Sequence, residues 1–452
     1  MHQRTEPLPT NRPQIVIQEA IGEGDRDAAA HALADLHPSE IADLLESAPG
    51  EQREVLWGLV PVEIQGEVLS HAHDAVRVTL LELLAPAQVA ELTEQLETDD
   101  AADILQDLPE DRIEQVLRSM DAQDRQRVAA VLQYPEDTAG GLMNTDTISV
   151  RSDVDLEAVL RYLRRRHELP EKTDSLMVVD RDNRYQGMLP ITTLVTANPD
   201  RTVAEVMLDD PEPIPAQMPA DQVAKRFEQR DLLSAPVVDE RGRLLGRITI
   251  DDVVDVIRDQ GDHSLMSLAG LNEADDTFAP ALASIPRRAL WLGVNLITAL
   301  LAAWVIGRFE DTLRHSVALA ILMPLVASMG GVAGSQTLTI VIRGLALGQI
   351  SDANYRSLLR KELAVGVTNG LLWATIVGVV AANWFGNLSI GMVIALALTA
   401  NVAAAALAGT LIPITLKRLG IDPALAGGLF LTTVTDVLGF SAFLGLAAFF
   451  VV

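Results

Sequence analysis

The chain of 452 residues contains no cysteine, which excludes disulfides and thiolate metal sites and fits a reducing cytosol for its soluble part. The opening stretch MHQRTEPLPTNRPQ has no apolar signal core, so the first half is expected to stay on the cytosolic side. Basic residues are scarce before Pro286: 25 Lys and Arg stand against 56 Asp and Glu, a net charge of −31. That deficit argues against a nucleic-acid surface. Acids are scarce after it, where 10 Lys and Arg meet 6 Asp and Glu, a net charge of +4. A chain that is 49% hydrophobic yet carries −27 overall is not one globular domain. It is an acidic soluble part joined to a membrane part.

The soluble part repeats itself twice over. Helix-start signals recur at Pro38, Pro49, Pro61, Asp74, Pro86, Asp99, Pro109 and Asp121, with amphipathic runs such as SEIADLLES and DDAADILQDL between them. Helices this short cannot bury an apolar stripe alone, so residues 21–134 are predicted to stack as a small all-α solenoid after a flexible tail, residues 1–20. Further on, LMVVDRDNRYQGMLPITTLV matches APVVDERGRLLGRITIDDVV at an offset of 59 residues, pairing Asp180 with Asp239 and Gly187 with Gly246. Each copy reads as strand, charged turn, glycine, strand and helix start, with a helical stretch before it. These two α/β units, residues 135–200 and 201–262, resemble paired CBS domains. An acidic connecting helix is expected over 263–285.

Five apolar spans follow within 286–452: Leu290–Ile306, Val317–Leu347, Leu358–Asn383, Ile390–Leu416 and Pro423–Val452. With the first half inside, Arg287, Arg288, Arg343, Arg356, Arg360, Lys361, Lys417 and Arg418 flank the inner ends, and Arg308 and Arg314 the outer ones. That bias predicts a cytosolic N-terminus and an external C-terminus.

The fifth span carries one ionisable residue, Asp436. A carboxylate at the centre of a span costs roughly 2.5–3.5 kcal/mol on insertion scales, so it is expected to face water, a cation or a partner charge. No Lys or Arg lies at comparable depth, which favours a mobile cation; the bland alternative is a bond to backbone or to Asn401 in the fourth span. Thr432 and Thr433 add hydroxyls nearby. In the second span, Gly330 and Gly334 form a GxxxG pair with Gly331 beside them, and close helix packing is one reading. Pro324 and Gln336 support another, in which backbone carbonyls face a wet path. Carboxylate, carbonyl and hydroxyl oxygens suit a hard cation such as Mg²⁺ or Ca²⁺.

The run Pro324, Gly330, Gly331, Gly334, Gln336, then IRGLALG, together with the fifth-span DPALAGG and TTVTDVLG, resembles the MgtE family of magnesium channels and transporters, and the likeness covers nearly the whole chain. It implies a homodimer in a bacterial inner membrane, with the second and fifth spans lining a pore and Asp436 facing hydrated Mg²⁺. It also implies that cytosolic Mg²⁺ fills acidic sites and closes the pore, here through Asp231, Asp251, Asp252, Asp255, Asp259 and Asp262. Val332 stands where the family often has Asn, which bears on selectivity among divalent ions. Thr249 and Asp252 have the shape of a CBS ribose and phosphate contact, so weak ATP binding is expected there beside the alternative of a fold-only repeat. Pro190 and Thr193 hold the matching places in the first copy. The histidines of HAH, His71 and His73, point to different helix faces and do not read as a metal site. RYLRRRH, from Arg161 to His167, reads as an internal charge partner and not as a nucleic-acid patch. The chain is expected to be a transporter and not an enzyme. Rival readings are a proton-coupled or broader divalent transporter, with Mn²⁺, Co²⁺ or Ca²⁺ as cargo, and a non-transporting nucleotide receptor.

Overall fold

The computed structural model describes residues 17, 20, 25–166, 169–209, 212–271, 276–279 and 281–451. Apart from Ile17 and Ala20, the expected N-terminal tail lies outside the described residues, as do His167 and residues 272–275 of the expected connector. The chain divides into two compact units at Asp262, and the segment Asp276–Ala279 returns to the first.

The first unit opens with short helices: α1 (Arg26–Ala34), α2 (Pro38–Glu46), α3 (Gly50–Trp57), α4 (Val62–His71), α5 (Asp74–Glu82), α6 (Pro86–Thr93), α7 (Thr98–Gln106), α8 (Glu110–Ser119) and α9 (Ala122–Val131). Every Pro or Asp start signal from Pro38 to Asp121 falls at a helix start. Proline has no N–H to leave unbonded there, and Asp121 accepts from the backbone N–H of Gln123 and Asp124. Each helix buries only a few residues, such as Leu44, Leu69, Leu80, Ile104 and Val116, so stability comes from stacking neighbours.

Two α/β units follow. The first holds β1 (Ser149–Arg151), α10 (Leu156–Arg166), β2 (Ser175–Val179), β3 (Tyr185–Pro190) and α11 (Ile191–Thr196), with α12 (Val203–Val206) leading out. The second holds β4 (Ile214–Pro215), α13 (Ala220–Arg230), β5 (Ser234–Val238), β6 (Leu244–Thr249) and α14 (Ile250–Leu268). Both sheets have the same order, with a parallel pair followed by an antiparallel one. The register repeats too: Val178 opposes Gly187 and Val237 opposes Gly246, with a bulge after Val178 and Val237. The glycines are required because a Cβ at Gly187 would stand 2.5 Å from the Leu208 carbonyl, and one at Gly246 2.6 Å from the Asn144 carbonyl.

The two copies differ in what they pack against. The first has its own core of Ile148, Leu156, Leu176, Val178, Leu189 and Val203. In the second, Phe227, Ile248 and Val253 join the same apolar cluster as the helical module. Of the segment 263–285 expected as a connecting helix, residues 263–268 continue α14, which runs unbroken from Ile250 to Leu268 before turning at Gly270, and residues 281–285 open the next helix.

The second unit contains five helices long and apolar enough to cross a membrane. They are α15 (Ala281–Gly307), then after short α16 (Glu310–His315), α17 (Val317–Ala346), α18 (Tyr355–Phe385), α19 (Leu388–Arg418) and α20 (Pro423–Phe450). Helix α19 is the most enclosed, lying against α17, α18 and α20 through small residues. A Cβ on Gly409 of α19 would meet the Gly334 carbonyl at 2.8 Å, and one on Gly378 of α18 the Gly391 carbonyl at 2.8 Å. Lipid supplies no hydrophobic drive between helices, so this close backbone approach holds them together.

Candidate functional site

The pore candidates sit on α17 and α20. Asp422 caps α20 by accepting from the N–H of Ala424 (2.9 Å) and Leu425 (3.3 Å), and Pro423 occupies the first turn. Nearly four turns after Asp422 the helix presents Asp436, half-buried, beside exposed Thr432. No hydrogen bond or ion pair from the described residues reaches the Asp436 carboxylate. The three threonines bond their own helix: Thr432 and Thr433 donate to Leu429 at 3.0 and 2.8 Å, and Thr435 to the Thr432 carbonyl at 3.0 Å. Among the described residues the carboxylate therefore has no partner, in a segment of high hydropathy.

Several expectations are corrected here. Asn401 is not a partner of Asp436, nor does it line an open path. It is 1% exposed, and its Nδ2 donates to the Val326 carbonyl at 2.9 Å. It fills the space against Gly330 of α17 and Gly439 of α20. Gly330 and Gly334 follow the packing reading, since side chains there would collide with Asn401 and with Leu431. Helix α17 continues through Pro324 without unwinding, so no bare carbonyl run is presented. Gly331, by contrast, has open space before it, and Pro324, Val332 and Gln336 are exposed on the same helix.

Sequence reasoning overlooked Glu362. This α18 carboxylate is 3% exposed, accepts from Thr337 of α17 at 3.3 Å and pairs with the Lys361 ammonium at 2.6 Å. The signal was the acid in LLRKELAVG, hidden because its neighbours Arg360 and Lys361 read as an inner flank.

In the first unit the acids of α14 do not stand alone. They face carboxylates of the helical module, which the charge run on one helix could not reveal. Burial, then the charges of Asp252, Asp100, Glu97 and Asp103, pushes Asp99 well above the usual carboxylate range. Burial and Glu97 push Asp100 up to about 6, and burial and Asp251 push Asp252 up to about 7. Asp103, Asp107, Glu97, Glu136 and Asp259 are raised in the same direction, burial first in each case. Asp99 is 5% exposed and its Oδ1 has no hydrogen-bond partner. Together these groups form an acidic seam between α7 and α14.

The remaining candidates divide. Asp251 lies partly buried, yet bonds from Lys172 and Thr249 hold its carboxyl below the usual range. Asp255 and Asp259 flank Arg258, and Asp262 stands 4.0 Å from His73. Asp231 does not join: it is exposed at the end of α13 in a left-handed conformation and takes part in none of these shifts. Among the described residues no three side chains already converge as a metal-ligand set. The expected nucleotide contact is engaged locally, because Asp252 accepts from both the N–H and the hydroxyl of buried Thr249 at 3.0 Å, capping α14. Arg161 and Arg166 pair with Glu157 and Asp146, as an internal charge partner should.

Five helices long and apolar enough to cross a membrane, one carrying a carboxylate that no described residue pairs with, joined in one chain to an acidic helical module and two like α/β units, define a multidomain membrane protein. Family profiles divide the chain likewise: the MgtE intracellular N domain matches residues 36–137, CBS domains match 139–200 and 203–259, and the MgtE divalent cation transporter domain matches 323–446. The magnesium transporter MgtE of Thermus thermophilus is 34% identical over 441 residues, 96% of this chain and 97% of that one. That of Bacillus subtilis is 28% identical over 93% of each chain. Among solved structures, the cytosolic domain of the Mg²⁺ channel MgtE in complex with ATP is 36% identical, covering 54% of this chain and 99% of its own, with a TM-score of 0.49. The chain belongs to the MgtE family.

Proposed function

We propose that this chain is the subunit of a homodimeric Mg²⁺ channel or transporter that mediates Mg²⁺ uptake across a bacterial inner membrane and closes when cytosolic Mg²⁺ is plentiful. The observation that carries the reading is the unpartnered carboxylate of Asp436. A half-buried anion in an apolar helix is retained for a counter-charge, and no described residue supplies one. Mg²⁺ keeps most of its waters and is held by one or two carboxylates, which a lone aspartate from each of two subunits would provide. The relatives named as magnesium transporters support the choice of ion.

The acidic seam supports the regulatory half of the reading. Buried carboxylates repel one another across α7 and α14, and a divalent ion relieves that repulsion. Since no ligand set is preformed among the described residues, hydrated Mg²⁺ would bridge the two faces and draw them into register. ATP at the CBS pair belongs to the same proposal only if Thr249 and Asp252 release their mutual bonds. The arginines and lysines flanking the spans support a cytosolic soluble part and an external C-terminus.

The test is Mg²⁺ flux into proteoliposomes containing the full chain, with Mg²⁺ varied separately on each side. Asp436→Asn and Asp436→Ala are expected to abolish flux while the protein still assembles. Normal flux in both variants would remove the pore assignment. Flux that follows the pH gradient would replace a channel by proton coupling, and saturating flux of Mn²⁺, Co²⁺ or Ca²⁺ would widen the cargo. No flux at all in the native chain would favour a receptor.

A further inference from the structure

The acidic seam already contains a cation of its own. Lys172 lies in the loop between α10 and β2, and two features fix its direction. Its φ of +54° is a left-handed conformation rare for a side-chain-bearing residue. The guanidinium of Arg247, 1% exposed on β6, donates to the carbonyls of Glu171 (2.5 Å) and Lys172 (3.3 Å). The loop is thus held by the second α/β unit while the Lys172 side chain reaches out of it. Its ammonium bonds the Asp251 carboxylate and stands 3.5 Å from Glu97, the residue that precedes α7. One charge ties the helical module to α14.

Arg77 pairs with Asp107 and Asp74, whereas Asp99, Asp100 and Asp103 of α7 have no ion pair among the described residues. Asp99 keeps an oxygen buried without a donor, which is where a further cation or its hydration water would be accepted. A hydrated Mg²⁺ and an ammonium both bind carboxylates, and each repels the other at this range. The ammonium has the advantage of a tether, which keeps its local concentration high whatever the solution contains. Mg²⁺ has the advantage of a second charge.

We propose that Lys172 is a tethered counter-ion that competes with Mg²⁺ for the Glu97–Asp251 end of the seam and so sets the Mg²⁺ concentration at which the helical module and α14 close. This rests on the reading of the seam as a Mg²⁺ sensor. In the absence of Mg²⁺ the ammonium keeps the two faces loosely together; at high Mg²⁺ it yields its place. The threshold is then written into one residue of a loop and not only into the number of acids.

Hydrogen exchange of α7 in the full chain, followed as Mg²⁺ is raised, tests this. Lys172→Met leaves a seam with uncompensated repulsion, so α7 should exchange faster than in the native chain without Mg²⁺. Its midpoint, taken between its own Mg²⁺-free baseline and its plateau, should fall at about fivefold lower Mg²⁺ or less, the lower end of ordinary coupling between two ligands. Lys172→Arg keeps the charge and should stay close to the native midpoint. A Lys172→Met midpoint equal to or above the native one overturns the proposal. If the native chain shows no Mg²⁺-dependent protection, the sensor reading falls instead. The tether is then judged by the Mg²⁺-free comparison, where unchanged exchange in Lys172→Met overturns it as well.

Discussion

Asn401 donates its side-chain Nδ2 to the Val326 carbonyl at 2.9 Å, joining α19 to α17 one turn before Gly330. The same amide fills the space opposite Gly330 and opposite Gly439, which lies one turn beyond Asp436. A single buried amide therefore sets the spacing of the two helices that carry the pore candidates.

Removing that amide should loosen both helices. Asn401→Ala loses the bond and opens a void, and a cost of about 1–3 kcal/mol is expected for a buried hydrogen-bonded group. Gly439→Ala should cost a similar amount from the other side, because its Cβ would stand 2.6 Å from Nδ2. Thermal unfolding in detergent measures both. Native stability in Asn401→Ala would show that α19 does not position its neighbours.

The seam should respond to pH in a fixed direction. Asp252 titrates at about 7 and Asp100 at about 6, above the ordinary value of 3.8 because burial and neighbouring acids disfavour their charged forms. The native state therefore binds extra protons between about pH 4 and 7. Stability of the first unit falls as pH rises through that window. Acidification from pH 7.5 to 5.5 without Mg²⁺ should protect α7, and Mg²⁺ binding at pH 6 should release protons. Calorimetry in two buffers of different ionisation enthalpy detects that release, and a loss of protection on acidification would contradict the assignment.

Arg53 of α3 is 3% exposed and donates to the carbonyls of Leu45 (2.9 Å) and Ala48 (3.2 Å) and to Asp276 (2.9 Å). It fixes the segment that precedes α15. Arg53→Met should destabilise the first unit by roughly 3 kcal/mol, since it strands buried acceptors and a carboxylate. Arg53→Lys should not restore it, because one ammonium cannot reach all three oxygens. Denaturant unfolding gives the cost, and protease cleavage near Asp276 should accelerate in both variants.

The paired glycines of the α/β units give a contrast within one fold. Gly246→Ala places a Cβ against the Asn144 carbonyl, backbone that cannot yield without breaking the Asn144–Arg247 bridge. A loss of about 1–3 kcal/mol is expected. Gly242→Ala, with φ of +74° but open space around it, should cost nearer 1 kcal/mol. Equal losses would mean that backbone conformation and not close approach decides both.

Much of the architecture was legible because it rests on local chemistry. Proline and aspartate at the first turns of α2 to α9 act within one helix, and the repeat of Gly187 and Gly246 records one strand geometry used twice. The five spans follow from length and hydropathy, since lipid imposes those regardless of neighbours. Asp436 was legible for the same reason: a carboxylate in an apolar run is conspicuous before any packing is known.

The rest waited on contacts between residues distant in the chain. Sequence supplied Asn401, Gly330 and Gly439 as separate symbols, and only their meeting turned a pore candidate into a bolt between helices. It supplied the acids of α14 but not their partners on α7, because opposing charges some 150 positions apart share no local pattern. Lys172 is the clearest instance. Nothing in its neighbourhood distinguishes it from any exposed lysine, and it gains its role from Arg247 bending the loop and from Glu97 and Asp251 arriving at the same place. Local propensity and solvent preference fix which segments form; long-range electrostatics and close packing decide which of them meet, and those terms exist only once the chain has folded.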